Sequence, residues 1–226
     1  METRASGWQR GRSVLLACLS LFCWAALHAD IREDLPYRVD FFPLMQHFVV
    51  QKHPHYSSVA SAVMVLNALG FKPNSLSAES YNQDTFFTPS TMQMLKPDTL
   101  KKTGLSMEKL AAILRQKSLD VYVRHVSKGD DPKGIISKLM TAVKTPHIYV
   151  IANYSRSVLG EKGSGHFSPL GAYDTRGKRF LLMDVWRFKD SPHWIPARSM
   201  VQAMQTKDSD ANAYRGYLIV KRQVKA

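Results

Sequence analysis

The sequence has 226 residues, of which 31 are Lys or Arg and 18 are Asp or Glu, so its formal net charge is +13. Hydrophobic residues make up 45% and charged residues 22%, a balance that is typical of a folded domain and excludes collagenous, low-complexity and disordered chains. The only two cysteines, Cys18 and Cys23, lie near the amino terminus. The rest of the chain therefore has no thiol for a zinc site, a redox pair or a disulfide framework.

The amino-terminal residues have the layout of a secretory signal peptide. Three arginines precede an uncharged stretch over residues 13–27, after which polar residues return. Because this stretch is shorter than the about 20 apolar residues of a membrane-spanning helix, we predict a signal peptide over residues 1–29 and export to the bacterial periplasm. Two alternatives stay open, a lipoprotein signal with Cys18 as the lipidated residue and an uncleaved membrane anchor.

Cleavage after this segment would leave one domain over residues 30–226, without cysteine and without a stable membrane span. It would remove three Arg and one Glu, which lowers the net charge from +13 to +11. The remaining Lys and Arg are scattered, and no nucleic-acid-binding motif lies among them. We therefore interpret the charge as a solvated basic surface and expect no nucleic-acid partner.

Helical patterns dominate the first half of this domain. Residues 57–69 are apolar on nearly every face and end at Gly70, which predicts a helix that is buried all round. Residues 76–97 are expected to be irregular. Residues 106–117 carry apolar side chains at helical spacing after a Ser cap, and residues 131–143 begin with Asp-Pro, which opens another helix.

Strand patterns dominate the second half. The predicted strands are residues 120–126, 147–154, 166–174, 179–186 and 214–221. A turn over residues 174–178 separates two of them as in a hairpin, and a helix over residues 197–207 interrupts the series. Helices and strands that are segregated along the chain predict an α+β fold, with an active cleft between a helical lobe and an antiparallel β lobe.

The first candidate catalytic residue lies where the apolar helix begins. Ser57 would occupy the amino end of that helix, where unpaired N–H groups and the helix dipole favour negative charge. A nucleophile, and the oxyanion that forms when it attacks a carbonyl, would both be stabilised there. Gln51, six residues upstream, has a side-chain amide that can donate to the same oxyanion. The alternative is that Ser57 is only a helix N-cap, a position that Ser prefers.

Two further candidates lie on neighbouring predicted strands. A glycine-rich turn leads His166 into its strand, and Asp184 follows 18 residues later in an apolar strand. An imidazole that removes a proton needs a partner that fixes its tautomer and stabilises its charged form, and an Asp on the adjacent strand does both. Each residue alone is more often structural. Together with Ser57, however, they predict a nucleophile, a base and an acid.

Three segments of the sequence resemble those of phytochelatin synthases. They are residues 51–69 (Gln-x-x-Pro-x-Tyr, then Ala-Ser-x-x-Met-Val-Leu-Asn-Ala-Leu), residues 165–173 (Gly-His-Phe-Ser-Pro-Leu-Gly-Ala-Tyr) and residues 184–196 (Asp-Val-Trp-Arg-Phe-Lys-Asp-Ser-Pro-His-Trp-Ile-Pro). The resemblance implies a papain-like fold with a Cys-His-Asp triad. It also implies removal of glycine from glutathione through a γ-glutamylcysteinyl acyl-enzyme, which passes its acyl group to a second glutathione or, in short bacterial members, mainly to water.

The resemblance also implies roles for individual residues. These are general base for His166, orienting acid for Asp184, oxyanion amide for Gln51, and substrate contacts for Tyr56 and Arg187. For Arg187, the implied contact is a bidentate bond to a substrate carboxylate. The sequence departs from the family at the nucleophile, because Ser57-Ser58 stands where the family has Cys-Gly.

A serine at this position changes what the site must do. A thiol has a pKa of about 8.5, which a helix end and an imidazolium lower until the thiolate is the resting form. A hydroxyl instead loses its proton during the attack. Three hypotheses follow: an active acyltransferase or hydrolase that uses Ser57, a silenced relative whose cleft binds an anionic peptide or a partner, and a basic structural domain without catalytic ancestry. The first is favoured because the predicted base, acid and oxyanion amide are all present.

We predict no metal ligands in the protein. His53 and His55 flank a proline that restricts them, and no carboxylate lies close in sequence, so we interpret them as part of a loop beside the cleft. His147 and His193 are likewise interpreted as structural. In the family that the sequence resembles, heavy metal acts mainly through the thiolates of glutathione. A response to metal therefore does not require a cofactor bound by the protein.

Overall fold

The computed structural model of the protein describes residues 40–74, 78–186, 192–209 and 211–223. The predicted signal peptide over residues 1–29 and the predicted substrate contact Arg187 lie outside these residues. Within the described part of the chain, none of the helices combines the length and the apolar character that crossing a membrane requires.

Helices and antiparallel strands make up the described chain, in the α+β arrangement that the sequence predicts. The helices are α1 (Phe41–Gln46), α2 (Ser57–Ala68), α3 (Pro89–Met94), α4 (Pro97–Thr103), α5 (Met107–Gln116), α6 (Pro132–Lys144) and α7 (Ala197–Met204), with a 3-10 helix at Arg156–Leu159. The strands are β1 (Leu119–His125), β2 (Ile148–Ser155), β3 (Gly165–Asp174), β4 (Arg179–Leu182), β5 (His193–Pro196), β6 (Lys207–Asp208), β7 (Ala213–Tyr214) and β8 (Gly216–Arg222).

Six of the strands form one antiparallel sheet in the order β1-β8-β2-β3-β4-β5, and β6 pairs with β7 apart from it. The predicted hairpin is confirmed, because β3 and β4 are consecutive in the chain and adjacent in the sheet. β4 is shorter than predicted and ends at Leu182. The backbone still follows β3 one residue further, since the Met183 amide donates to the Pro169 carbonyl at 2.9 Å. Asp184 therefore lies just past the end of a strand, beside β3.

Both faces of the central strands are covered. Val150, Ala152 and Tyr154 of β2 belong to an apolar cluster with α6 and α7. Tyr149, which points to the opposite face because side chains alternate along a strand, donates from its hydroxyl to the Ala68 carbonyl at the end of α2 at 3.4 Å. The sheet thus separates a layer that contains α6 and α7 from a layer that contains α2.

The predicted apolar helix is confirmed as α2. Its residues from Ser57 to Asn67 are all buried, which explains why apolar side chains occur on nearly every face. The helix stops where predicted, with Gly70 at a φ of 70° and the Phe71 amide donating back to the Leu66 carbonyl at 2.9 Å. This burial fixes the amino end of α2 against the sheet and so fixes Ser57.

The segment that the sequence predicts as irregular contains helical structure, so that prediction is wrong in part. Pro89 and Pro97 begin α3 and α4 respectively, because the missing N–H of proline costs nothing in the first turn of a helix. The predicted caps of the next helices are confirmed: Ser106 accepts from the Lys109 amide at 3.3 Å, and Asp131 caps α6 in the same way.

Candidate active site

Ser57 is the first residue of α2 and is 5% exposed. The N-cap position belongs to Tyr56, and no side chain caps the helix, so the interpretation of Ser57 as an N-cap is wrong. The Ser57 Oγ instead accepts a hydrogen bond from the Phe167 amide at 3.2 Å. This bond joins the start of α2 to β3, at the residue after His166. The N–H groups of the first helical turn have no acceptor further back in the helix and so favour a nearby oxyanion.

His166 and Asp184 are in direct contact. The imidazole is 2% exposed, and its Nε2 lies 3.0 Å from Oδ1 of Asp184. The same Oδ1 accepts from the Trp186 amide at 2.8 Å, a local bond that replaces strand pairing beyond β4. The rings of Tyr154 and Trp186 lie 5.7 and 6.0 Å from the imidazole and shield it from water.

The contact with Asp184 determines which ring nitrogen is available for proton transfer. A carboxylate that accepts from Nε2–H leaves Nδ1 unprotonated in the neutral ring, so Nδ1 is the basic atom. No hydrogen bond between described residues joins the ring to Ser57, whose Oγ is bonded to the Phe167 amide.

Burial and hydrogen bonding set the ionisation of this pair. Burial alone would raise the pKa of Asp184, but the bonds from His166, from the Trp186 amide and from Arg156 outweigh it and hold that pKa well below its usual value. Burial lowers the pKa of His166, and the bond to Asp184 only partly opposes this. The result is an ionised acid next to a neutral imidazole, which is the state that a general base requires.

Gln51 lies beside these residues, but its amide is occupied. Its backbone N–H donates to the Val185 carbonyl at 2.9 Å, which ties the segment before α2 to the residue after Asp184. Its side-chain Nε2 donates to the carbonyls of His53 and Pro54 at 2.7 and 2.8 Å. The predicted oxyanion contact would therefore require one of these bonds to be exchanged when substrate binds.

Tyr56 and the predicted loop histidines occupy different places. The buried Tyr56 ring packs between His53 at 4.8 Å and Phe87 at 6.0 Å, and it does not line the cleft described below. His55 does line that cleft. His193 pairs with Glu161 at 2.9 Å, in keeping with a structural interpretation. Among the residues described, no three His, Cys, Asp or Glu side chains come together in a group that could hold a metal ion.

Arg156 is a residue of this site that sequence reasoning missed. It is 6% exposed, and its Nη1 donates to Oδ2 of Asp184, the oxygen that His166 does not use. Its Nη2 also lies 3.1 Å from Glu161. No sequence signal marks Arg156, because its partner lies 28 residues away in the chain.

A cleft of about 640 Å³ opens at Ser57. Its lining includes Ser57, Ser58, His55, Glu108, Lys109, Asn153, Ser164, Gly165, Phe167, Asp208 and Arg215. A Cβ on Gly165 would lie 2.6 Å from Nη2 of Arg215, so only glycine lets this guanidinium approach the start of β3.

Arg215 and Asp208 place opposite charges in this cleft. Nη2 of Arg215 lies 3.9 Å from Oδ1 of Asp208, and Nη1 donates to Thr206 Oγ1 at 3.2 Å. The buried Nε of Arg215 has no hydrogen-bond partner among the described residues. A donor of this kind, beside a carboxylate and near Ser57, suits a ligand that carries both a carboxylate and an ammonium group.

A hydroxyl at a helix amino end, a neutral imidazole and an ionised carboxylate are the groups that acyl transfer by a nucleophile, a base and an acid requires. The sequence profile described as phytochelatin synthase matches residues 33–217, which is most of the chain. The chain therefore belongs to the phytochelatin synthase family.

Curated relatives agree with this membership. The chain is 30% identical to glutathione gamma-glutamylcysteinyltransferase 2 of Arabidopsis thaliana over 185 residues. This match covers 80% of this chain and 40% of that protein. It is 31% identical to glutathione gamma-glutamylcysteinyltransferase 1 of Lotus japonicus, over 80% of this chain and 36% of that one. The glutathione gamma-glutamylcysteinyltransferase of Schizosaccharomyces pombe is 27% identical, over 80% of this chain and 43% of that protein. The chain thus spans about two fifths of the length of these relatives.

Proposed function

We propose that this chain is a γ-glutamylcysteine dipeptidyl transferase or hydrolase that removes glycine from glutathione, with Ser57 as the nucleophile. The observation that carries the proposal is the cleft that connects Ser57 to the charged pair Arg215 and Asp208. The γ-glutamyl end of glutathione carries an α-carboxylate and an α-ammonium group. In the proposal, Arg215 binds the first and Asp208 the second, which leaves the bond between cysteine and glycine at Ser57.

The proposal includes a papain-like arrangement of the site. The nucleophile begins a buried helix, α2, and the base and acid belong to the antiparallel strands β3 and β4 and the residues that follow. Export through the predicted signal peptide over residues 1–29 is part of the same proposal.

The first half-reaction forms an ester. The Ser57 hydroxyl attacks the carbonyl carbon of the cysteine residue of glutathione, and its proton passes to Nδ1 of His166. The N–H groups at the start of α2 stabilise the oxyanion, while Asp184 stabilises the imidazolium. When the tetrahedral intermediate collapses, the bond to glycine breaks, and His166 returns the proton to the leaving glycine amine. The products are free glycine and a γ-glutamylcysteinyl ester of Ser57.

The second half-reaction releases the acyl group. Water, or the α-amine of a second glutathione, attacks the ester carbonyl while His166 removes a proton from the attacking atom. The ester bond breaks, and the proton passes to Ser57 Oγ, which regenerates the hydroxyl. With water the product is γ-glutamylcysteine, and with glutathione it is a longer γ-glutamylcysteine chain. Heavy metal enters this proposal only as thiolates of the glutathione that accepts the acyl group.

Release of glycine from glutathione by the full-length protein tests the proposal. We expect release by the wild type and by Ser57→Cys, and none by Ser57→Ala or His166→Ala. The Ser57→Cys variant is the matched control, because it restores the nucleophile of the family without changing the cleft. Absence of release in every variant would contradict the assignment of glutathione as the substrate.

A specific observation favours a second candidate, a silenced relative that binds a γ-glutamyl peptide. Ser57 Oγ is bonded to the Phe167 amide, and no bond between described residues joins it to His166. Under this alternative, glutathione binds to wild type and to Ser57→Ala with equal affinity, and only Ser57→Cys releases glycine. Calorimetric titration of both proteins with glutathione, together with the glycine assay, separates the two candidates.

A further inference from the structure

The Arg156 side chain contacts the acid of the candidate site and two residues of the loop that precedes the base. Its Nη1 donates to Oδ2 of Asp184, its Nε donates to the Lys162 carbonyl at 2.7 Å, and its Nη2 lies 3.1 Å from Oε2 of Glu161. The side chain is almost completely buried, so the two hydrogen bonds and the ion pair with Glu161 are largely shielded from solvent. The loop that it binds leads directly into His166.

That loop is folded around the arginine side chain. Gly163 has a φ of 113°, and a Cβ there would lie 3.1 Å from Cδ of Arg156, so the backbone conformation and the close approach both favour glycine. The backbone N–H of Arg156 also donates to the Ser164 carbonyl at 3.0 Å. One side chain therefore orders the approach to His166 and at the same time holds Asp184.

We propose that Arg156 is a positioning residue of this triad, which binds the Asp184 oxygen that His166 does not use and, by sharing the charge of that carboxylate, keeps the imidazole neutral for a hydroxyl nucleophile. The inference rests on the proposed function, because it assigns Arg156 to the reaction of Ser57. Arg156 would be a fourth residue of the site, in addition to the nucleophile, the base and the acid. Its positive charge would have a function in the reaction.

A hydroxyl and a thiol make opposite demands on the imidazole. A thiolate rests as an ion pair with an imidazolium, so a strongly basic imidazole favours it. A serine hydroxyl stays protonated until the attack, so the imidazole must be neutral at the working pH in order to accept its proton. A guanidinium on the triad carboxylate weakens the field that would stabilise an imidazolium. It therefore favours the neutral base that Ser57 needs.

The charges that face His166 act in this direction. Burial lowers the pKa of His166, Asp184 raises it, Arg156 lowers it and Glu161 raises it, with a net pKa below the ordinary value. Tyr154 adds no charge, because burial raises the pKa of its hydroxyl well above the usual value. Among these groups Arg156 is the cation that opposes Asp184.

The kinetic test compares Arg156→Gln and Arg156→Lys in the wild type and in Ser57→Cys. In the wild type we expect Arg156→Gln to lower kcat/KM for glycine release by about 10- to 100-fold, by analogy with the loss of a residue that orients a metal ligand. The acid limb of its pH profile should move to higher pH, because the imidazole becomes more basic. Arg156→Lys keeps the charge and should move that limb less. In the Ser57→Cys protein, the loss of kcat/KM caused by Arg156→Gln should be about tenfold smaller than in the wild type. This difference corresponds to one unit in the pKa of the imidazole.

A second measurement does not depend on substrate. The titration of His166, followed by NMR in the full-length Ser57→Ala protein, should shift to higher pH on Arg156→Gln. Arg222→Gln is the matched control, because the Arg222 guanidinium also donates to a backbone carbonyl, that of Leu69 at 2.6 and 3.1 Å, away from the triad. It should leave the titration of His166 unchanged. If the Arg156→Gln protein does not fold, the double variant Arg156→Gln with Glu161→Gln takes its place, because it removes one buried charge of each sign. The titration of His166 should still shift to higher pH.

Two results would overturn the inference. One is a titration of His166 that Arg156→Gln leaves in place or moves to lower pH. The other is an equal loss of kcat/KM in the serine and cysteine proteins, which would indicate a purely structural role. If no version releases glycine but Arg156→Gln still raises the pKa of His166, the proposed substrate fails while the effect of Arg156 on the imidazole stands.

Discussion

The two sides of the candidate site are held by different kinds of contact. On the base side, His166, Asp184 and Arg156 bond to one another through buried side chains. On the nucleophile side, the hydroxyl of Ser57 has a bond from a backbone amide, and the buried hydroxyl of Ser58 has no partner in the described part of the chain. On the base side, side chains bond to one another, whereas on the nucleophile side the Ser57 side chain bonds to a backbone amide.

This difference bears on the exchange of cysteine for serine. A residue whose side chain bonds only to one backbone amide can change that side chain and leave no buried charge without a partner. A residue in a buried charge network cannot, because each charge that loses its partner is left desolvated. Substitution of Ser57 should therefore lower the activity with little effect on the free energy of unfolding, whereas substitution of Asp184 should lower both.

The largest effect is expected from Asp184→Ala. This change leaves the buried Arg156 guanidinium with Glu161 as its one remaining carboxylate contact among the described residues, and it leaves His166 without its orienting bond. We expect the free energy of unfolding to fall by about 3–5 kcal/mol, as measured by urea denaturation, and glycine release to fall by about 10⁴-fold. A stable but inactive Asp184→Ala protein would contradict the picture of a coupled network.

The second prediction concerns the nucleophile side. Ser57→Ala should abolish glycine release, with a loss on the order of 10⁴-fold or more. The free energy of unfolding should fall by only about 1–3 kcal/mol, because the buried Phe167 amide loses its acceptor but no charge loses its partner. The same urea denaturation measures both proteins. A destabilisation as large as that of Asp184→Ala would erase the distinction between the two sides.

A second buried acid, Asp40, is not bonded to this network and allows a direct comparison with Asp184. Asp40 is fully buried, neither of its carboxylate oxygens has a partner among the described residues, and burial raises its pKa to about 9. Asp184, which is also buried but is hydrogen-bonded, has its pKa lowered instead. The same side chain is thus neutral in one place and charged in the other, because only one place supplies donors.

The sign of the pH dependence follows from this contrast. Between about pH 4 and pH 9 the unfolded chain ionises Asp40, while the folded protein keeps the proton, so Asp40 lowers the free energy of unfolding by up to about 1.4 kcal/mol for each unit of rising pH. Asp40→Asn should remove this slope. Its advantage over the wild type, measured by urea denaturation at pH 5.5 and pH 7.5, should grow with pH. An advantage that is constant across this range would exclude the buried neutral acid.

The smallest effect is expected from Ser58→Ala. Removing a buried hydroxyl without a partner should raise the free energy of unfolding by up to about 1 kcal/mol, because its desolvation is no longer required. Ser61→Ala is the matched control, since its hydroxyl is also buried without a described partner on the same helix. Thermal unfolding measures both, and a lower midpoint for Ser58→Ala would show that this hydroxyl has an essential contact.

The parts of the fold that could be predicted are those specified by local patterns. The apolar run of α2 with its glycine stop, the capped helices and the β3–β4 hairpin each depend on residues close in sequence. The meeting of His166 and Asp184 followed from the hairpin, because a short turn leaves little freedom in how two strands pair.

The parts that could not be predicted depend on distant residues. Arg156 reaches Asp184 only after the chain has completed β3 and β4, and Arg215 reaches Gly165 only because β8 lies beside β2 in the sheet. Ser57 was ambiguous for a related reason. The preference of Ser for N-caps is a local tendency, and here a long-range bond from Phe167 prevails over it.

The central claim, that Ser57 carries the acyl group, is tested most directly by trapping the intermediate. The full-length protein is mixed with glutathione, quenched with acid and analysed by mass spectrometry of the intact chain and of its peptides. The account predicts a mass increase of one γ-glutamylcysteinyl group, located on Ser57 and absent from Ser57→Ala. Glycine release without that adduct, or an adduct on any other residue, would contradict it.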